Sequence, residues 1–225
     1  MFKKPDRADE LFRIQAGWTL STRNFLYRRA KLLNASRVLE TGCGTGVILR
    51  ELEERTGGKV YGLDSNEAYL EFAGERCSGV ELIHADAAAI PFDDSYFDIV
   101  VCNYFLTWLP DPERVISEVQ RVTRPGGYFL ICAEPDYEGI IEYPRCGVAE
   151  ELRKELTLQG LPDFSFGRKL RTILKNMKLK FNSGLIQYDY SSLDYSLLQK
   201  MNIPASRLKK LDTFIQPIFR AEVKF

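Results

Sequence analysis

The chain is poor in the residues that bind transition metals. It has one histidine, His84, in 225 residues, and its five cysteines include no C-x-x-C pair. Common zinc sites need histidines or closely spaced cysteine pairs, so we predict no metal site. An odd number of unpaired cysteines is typical of reduced, buried thiols rather than of a disulfide framework.

The chain also lacks an excess charge and a long apolar run. Lys+Arg and Asp+Glu both number 31, so the net charge is zero and no nucleic-acid partner is expected. We interpret the basic cluster Arg23, Arg28, Arg29 and Lys31 as the solvated face of a helix. No segment reaches about 18 apolar residues, and the N-terminal MFKKPDRADE lacks the apolar core of a signal peptide. The sequence therefore predicts a cytoplasmic protein without a membrane span, and it does not specify the oligomeric state.

The most informative feature is the segment VLETGCGTG, residues 38–46. An apolar strand end is followed by Gly42, Gly44 and Gly46, which allow a sharp turn and a close approach of backbone to ligand. A helix over 47–55 would direct its free N–H groups at that ligand, which indicates a nucleotide-type cofactor. The dinucleotide fingerprint needs glycine where Val47 stands, so an NAD-linked oxidoreductase is disfavoured. No Gly-Lys-Ser/Thr ending is present for a phosphate loop of the Walker kind.

Strand and helix patterns alternate along the chain. Strands are predicted near 37–41, 59–63, 80–84, 97–103 and 127–133, with helical segments between them. This alternation predicts an α/β fold with a doubly wound, mostly parallel sheet in one domain. We divide residues 1–225 into an N-terminal helical cap (1–35), a cofactor-binding core (36–136), an inserted lid (137–166), and a C-terminal helix with strands (167–225). Two β-rich runs, 181–190 and 214–225, are expected to extend the sheet.

Four polar residues stand at the ends of successive predicted strands, where open α/β sheets bind ligands. Glu40 has the position to accept hydrogen bonds from a ligand ammonium or from the glycine turn itself. Asp64 suits the two hydroxyls of a ribose, with a helix cap as the alternative. Asp86 suits an exocyclic adenine amine, and Asn103 either a zwitterionic ligand tail or a turn.

The ordered segments VLETGCGTG, YGLDSNEAYL, HADAAAIPFDDSYFDIVVCN and RVTRPGGYFLICAEPD, within residues 38–136, resemble the class I S-adenosylmethionine-dependent methyltransferases. The resemblance is to the small-molecule branch that includes ubiquinone- and menaquinone-pathway enzymes, methyltransferase type 11. It implies a seven-stranded Rossmann-like sheet with an antiparallel last strand, S-adenosylmethionine as cofactor and S-adenosylhomocysteine as product. The cofactor-binding residues implied are Glu40, Gly42, Cys43, Gly44, Gly46, Asp64, Ser65, Asp86, Ala87 and Asn103. Arg23 is a further candidate, for the cofactor carboxylate.

The resemblance implies methyl transfer to a small organic acceptor by in-line displacement, a reaction that can proceed without a catalytic base. Many relatives carry a histidine after the fourth strand, whereas this chain has NYFLTWLPDP there and no histidine. The single histidine, His84, is in a predicted strand, and we expect it to be packed in the interior. Asp136 and Tyr137 are the catalytic candidates, with Glu134 and Glu138 beside them. The pocket for an aromatic or apolar acceptor would be lined by residues drawn from Trp18, Tyr104, Phe105, Trp108, Tyr143, Phe164 and Phe166. The alternative is a non-catalytic adenosyl-cofactor-binding regulatory or scaffold subunit.

Overall fold

A mixed β-sheet flanked by helices forms the centre of the protein. The computed structural model describes residues 4–186, 198, 203–211 and 213–225, with backbone alone at 213–215. Its strands are β1 (Arg37–Thr41), β2 (Lys59–Asp64), β3 (Val80–His84), β4 (Phe97–Cys102), β5 (Thr123–Pro135), β6 (Ile141–Tyr143), β7 (Lys180–Leu185), β8 (Thr213–Ile215) and β9 (Ile218–Lys224). Its helices are α1 (Pro5–Arg29), α2 (Val47–Arg55), α3 (Glu67–Gly74), α4 (Pro112–Val122), α5 (Val148–Leu158), α6 (Phe166–Asn176) and α7 (Ala205–Leu208).

The sheet has seven strands in the order β3-β2-β1-β4-β5-β9-β7 among the residues just given. Strands β1 to β5 pair in parallel, whereas β9 runs antiparallel to both β5 and β7. The predicted mostly parallel sheet with an antiparallel last strand is thus confirmed. The register pairs Glu40 with Val101 and Thr41 with Leu63, so the carboxyl ends of β1, β2 and β4 meet at one edge.

Helices cover both faces of the sheet because each presents an apolar stripe. On α4 the buried residues Val115, Ile116, Val119 and Val122 follow the helical period and pack in the same cluster as α6. The opposite face is covered by α1 and α2. A fully buried side chain of this size stabilises a fold by about 1.5–3 kcal/mol, so these two layers fix the sheet on which the site is built.

The N-terminal region forms one long helix rather than several short ones. Pro5 occupies its first turn and Arg28 and Arg29 its last, an arrangement that suits the helix dipole. A short 3₁₀ turn at Leu32–Asn34 then leads into β1. In the part of the chain that the structure describes, no helix combines the length and the apolar character needed to cross a bilayer.

The C-terminal β-rich runs are only partly as predicted. The first run begins as β7, and its residues 187–190 lie outside the described part. The second run is divided between two sheets, because β8 pairs with β6 whereas β9 joins the main sheet. β5 spans 13 residues, longer than the predicted 127–133, because its start at Thr123 pairs with β4 and its end at Glu134 and Pro135 pairs with β9.

Candidate functional site

A pocket opens at the edge where β1, β2 and β4 end. The core contributes to its wall the residues Glu40, Gly42, Cys43, Gly44, Val47, Ile48, Leu63, Asp64, Ser65, Tyr69, Ala85, Asp86, Ala87, Asn103, Tyr104, Phe105, Trp108 and Leu109. Helix α1 adds Leu11, Phe12 and Gln15, and the region after β5 adds Tyr137, Leu156 and Gln159. The structure therefore brings together nine of the ten residues predicted to bind the cofactor.

The glycine loop has the left-handed backbone that its sequence predicts. Gly42, Gly44 and Gly46 have φ of 67°, 53° and 82°, a region that residues with a Cβ rarely adopt. Gly42 and Gly44 face the pocket, but Gly46 does not. A Cβ on Gly46 would lie 3.0 Å from Cβ of Ala73, so this glycine lets α2 pack closely against α3. Gly46 is thus the one predicted cofactor-binding residue that does not line the pocket.

Asp64 ties the end of β2 to the glycine loop. Its Oδ2 accepts a hydrogen bond from the Gly44 N–H at 2.8 Å, and its Oδ1 accepts one from the Asn66 N–H at 2.9 Å. Only 6% of the residue is exposed, and burial raises the pKa of its carboxyl although these backbone donors oppose the rise. A carboxylate has about four lone-pair positions, so acceptor capacity remains for a ligand.

Glu40 lines the pocket and has one unsatisfied carboxyl oxygen. The residue is 2% exposed, and Oε2 has no hydrogen-bond partner within the described part of the protein. Burial raises the pKa of Glu40 well above its usual value, with the nearby Arg23 charge acting in the opposite direction. A buried acceptor without a partner is costly unless a ligand supplies the donor. The chemistry of Glu40 therefore fits a cationic or hydrogen-bond-donating group in the pocket.

The wall beyond β3 holds the predicted adenine-binding pair. Asp86 is exposed and its Oδ1 accepts a hydrogen bond from the Ala88 N–H at 2.8 Å, which shapes the turn that contains Ala87. His84 is exposed as well, and its Nε2 lies 3.0 Å from the carbonyl oxygen of Ser65. The prediction that His84 is packed in the interior is wrong because β3 is an edge strand of the sheet.

The two catalytic candidates separate in the structure. Asp136 is buried in an ion pair with Arg168, whose Nε and Nη2 donate to its carboxylate at 2.6 and 2.9 Å. Its Oδ1 also accepts the Gly139 N–H at 3.0 Å, and the residue does not line the pocket. The prediction that Asp136 acts as a base there is therefore wrong. Tyr137 does line the pocket, and burial raises the pKa of its phenol, so the group stays protonated at neutral pH.

Glu134 stabilises the loop after β4 rather than facing the pocket. Its carboxylate accepts the backbone N–H groups of Phe105, Leu106 and Thr107 at 3.2, 2.9 and 3.0 Å. Burial raises its pKa to about 8 even though these donors favour the charged form. Glu138 is exposed and lies outside the wall. Glu134 thus positions the loop that carries the aromatic wall residues.

The aromatic wall is only partly the predicted one. Tyr104, Phe105 and Trp108 line the pocket, whereas Trp18 and Phe164 pack with the apolar residues of α5. Phe166, the first residue of α6, packs in the hydrophobic core against the sheet, and Tyr143 is 67% exposed. Sequence reasoning missed Leu11, Phe12, Gln15, Tyr69, Leu156 and Gln159. Those on α1 and α5 occupy amphipathic helices, a pattern that predicts a buried face without saying what it covers.

Arg23 is neither solvated nor directed into the pocket. It is 1% exposed, and its Nη2 donates to Oε2 of Glu51 at 2.6 Å. Its Nη1 donates to the Ala16 carbonyl at 2.8 Å and to Oγ1 of Thr19 at 2.5 Å. The Oγ1 hydroxyl of Thr19 in turn lies 3.5 Å from Oδ1 of Asn103. Both interpretations of Arg23 from sequence are wrong, since an ion pair between α1 and α2 occupies its guanidinium.

Part of this chain is similar in sequence to known methyltransferases. Residues 39–131 match the model of the methyltransferase domain family. A demethylmenaquinone methyltransferase of Geobacillus stearothermophilus is 36% identical over 122 residues, which are 51% of this chain and 52% of that protein. The chain thus spans about half the length of that relative.

Two solved structures share the fold over most of this chain. A SAM-dependent methyltransferase of Aquifex aeolicus has a TM-score of 0.64 at 18% identity, covering 96% of this chain and 97% of its own. A geranyl diphosphate methyltransferase in complex with SAM has a TM-score of 0.63 at 17% identity, covering 92% and 85%. At these identities the likeness establishes the α/β Rossmann-like fold and not the reaction.

Proposed function

We propose that the chain, whose residues 39–131 match the methyltransferase domain family, is a cytoplasmic, S-adenosylmethionine-dependent methyltransferase acting on a small organic acceptor. The observation that carries this proposal is the unpartnered Oε2 of Glu40 beside the glycine loop. An amino-acid ammonium is the donor that this buried acid lacks, and a nucleoside fits the neighbouring Asp64. A molecule with both groups matches this pair of acids better than a dinucleotide does.

Each part of the cofactor has a residue that would hold it. Glu40 and Asn103 would bind the amino-acid portion, and Gly42 to Gly44 would pack against it and the ribose. Asp64 and Ser65 would take the ribose hydroxyls, and Asp86 with the Ala87 N–H would take adenine. The cofactor supplies an activated sulfonium methyl group. The chain's own contribution is to hold the acceptor in line with that group and to exclude water.

The remaining wall indicates the acceptor class. Among the described residues that line the pocket there is no lysine, arginine or histidine, and the wall includes the large apolar or aromatic side chains of Leu11, Trp108, Leu109, Tyr137 and Leu156. An anionic acceptor would find no counter-charge there, so we propose an uncharged apolar or aromatic one. The relative named as a demethylmenaquinone methyltransferase supports a quinone-type ring.

The regions outside the core would complete the pocket. Residues 1–35 contribute α1, and 137–166 contribute Tyr137, Leu156 and Gln159 to the wall. This placement supports the division of a single domain into cap, core, lid and C-terminal part. The protonated phenol of Tyr137 would donate a hydrogen bond to the acceptor rather than remove its proton.

Turnover with labelled S-adenosylmethionine tests the proposal. The purified protein is expected to bind S-adenosylmethionine and S-adenosylhomocysteine in calorimetry, and to methylate neutral phenols or quinols in preference to carboxylates and amines. The Tyr137→Phe variant should retain cofactor binding and lose acceptor turnover. Cofactor binding with no product from any acceptor class would favour the scaffold alternative. Binding of NAD alone would overturn the proposal.

Proton release on cofactor binding is expected from Glu40. Burial raises the pKa of its carboxyl in the free protein, and a bound ammonium would favour the ionised form. Binding should therefore release a proton, and affinity should rise as the pH rises toward the raised pKa. Calorimetry in buffers of different ionisation enthalpy measures the proton count. In Glu40→Gln, residue 40 cannot ionise, so its proton release should vanish. The affinity should also become independent of pH in the range where only Glu40 titrates. Equal proton release in both proteins would contradict the role of Glu40.

A further inference from the structure

Asp9 connects the N-terminal helix to the glycine loop. It lies on the buried face of α1, 5% exposed. Its Oδ1 accepts a hydrogen bond from Oγ1 of Thr45 at 3.0 Å, and its Oδ2 accepts from Nη1 of Arg76 at 2.6 Å. Arg13, one turn further along α1, donates to Oδ2 at 2.7 Å. One buried carboxylate thus holds α1, the loop after β1 and the segment after α3 together.

The same half of α1 covers the pocket. The ring of Phe12 is so close to Gly44 that a Cβ on this glycine would lie 3.0 Å from it. Phe12 also packs edge-on against Tyr69, with ring centroids 5.9 Å apart. Leu11 and Gln15 line the pocket beside it. A ligand that packs against the glycine loop would therefore be enclosed by the first three turns of α1.

A glycine divides this half of the helix from the half that is anchored. Gly17 is exposed, and a Cβ built on it would have no heavy atom within 4 Å. Glycine in a helix interior weakens the helix, and no close packing at this position requires it. Beyond it, Arg23 is buried in its ion pair with Glu51. The helix thus has a fixed C-terminal half, a weak point, and an N-terminal half held by Asp9.

We propose that Asp9 is a positioning residue that closes residues 5–16 over the pocket, and that this segment opens about Gly17 to admit and release the cofactor. The identity of the ligand rests on the proposed function, whereas the opening of α1 does not. Removal of the Asp9 carboxylate frees the Thr45 hydroxyl and the Arg76 guanidinium together. The population of the open form therefore increases without any change in the residues that contact the cofactor from the core.

Hydrogen exchange of the full chain without ligand tests the opening itself. In Asp9→Ala, exchange across residues 8–16, whose N–H groups have helical acceptors, should be faster by about tenfold to a hundredfold, the range expected for loss of a charge-assisted hydrogen bond. Exchange across residues 20–29 should stay unchanged. Asp6→Ala is the matched control, because it removes the same charge from an exposed position in the same helix. Equal exchange in the two variants, or a uniform increase over the whole of α1, would overturn the proposal.

The dissociation rate of S-adenosylhomocysteine, measured by stopped flow, tests the consequence for the site. Asp9→Ala should raise the dissociation rate by a similar factor and Asp9→Asn by less, since the amide keeps one acceptor oxygen. Gly17→Ala should slow release, because it strengthens the helix at the hinge. If Asp9→Ala proves too unstable to purify, Arg76→Gln should show a smaller effect of the same sign. Unchanged release with faster exchange would refute the gate, and absence of any binding in the wild type would refute only the proposed function.

Discussion

Gly44→Val is expected to abolish detectable cofactor binding. Gly44 has φ of 53°, and a backbone in this region costs a β-branched residue about 1–3 kcal/mol. Its Cβ would also lie 3.0 Å from the ring of Phe12, with two further methyl groups beyond it. The added atoms would fill the pocket at the point where the loop backbone has to approach the ligand. Calorimetric titration with S-adenosylhomocysteine measures the loss.

Gly126→Val separates the effect on the site from backbone strain. Gly126 has φ of 82°, and a Cβ there would have no heavy atom within 4 Å. This variant should lose about 1–3 kcal/mol of unfolding free energy through strain alone and keep its cofactor affinity. Denaturant unfolding of both proteins gives the comparison. Retained affinity in Gly44→Val would mean that the loop does not face the cofactor, whereas equal loss of affinity in both would point to a general effect of strain.

The parallel sheet was predictable because its signals are local. β4, with the sequence FDIVVC, is almost wholly buried, and its apolar run IVVC is typical of a strand covered on both faces. The glycine loop and the polar residues at strand ends were predictable for the same reason, since strand, turn and acid are neighbours in sequence. Glu40 and Asp64 therefore lie in the pocket wall, as expected.

The rest depends on partners that are distant in sequence. Asp136 is paired with Arg168, 32 residues away, and no local pattern indicates that this acid is already neutralised. Arg23 and Glu51 are 28 residues apart. The exposure of His84 follows from the order of strands in the sheet, which periodicity does not give. Phe12 and Asp9 reach the glycine loop only because α1 crosses it. In each case tertiary packing decides between roles that the residue type leaves open.

Asp64 combines the two roles that the sequence left as alternatives. Its carboxylate orders the loop through the Gly44 N–H and the start of α3 through the Asn66 N–H. It also lies in the pocket wall, where it would accept hydrogen bonds from the ribose. A substitution therefore affects stability and binding together, and the two effects have to be measured separately.

Asp64→Ala is expected to weaken cofactor binding by about 1.5–3 kcal/mol, the value of hydrogen bonds to a charged group, or about 10- to 150-fold in Kd. Its free energy of unfolding should fall by about 1–3 kcal/mol, because two buried N–H groups lose their acceptor. Asp64→Asn keeps one acceptor oxygen, so it should recover part of the stability while affinity stays low. Asp86→Ala is the control for an exposed acid in the same wall, and its stability should be nearly that of the wild type. If Asp64→Ala folded and bound S-adenosylhomocysteine with unchanged Kd in calorimetry, Asp64 would serve the loop alone and the ribose would have to lie elsewhere.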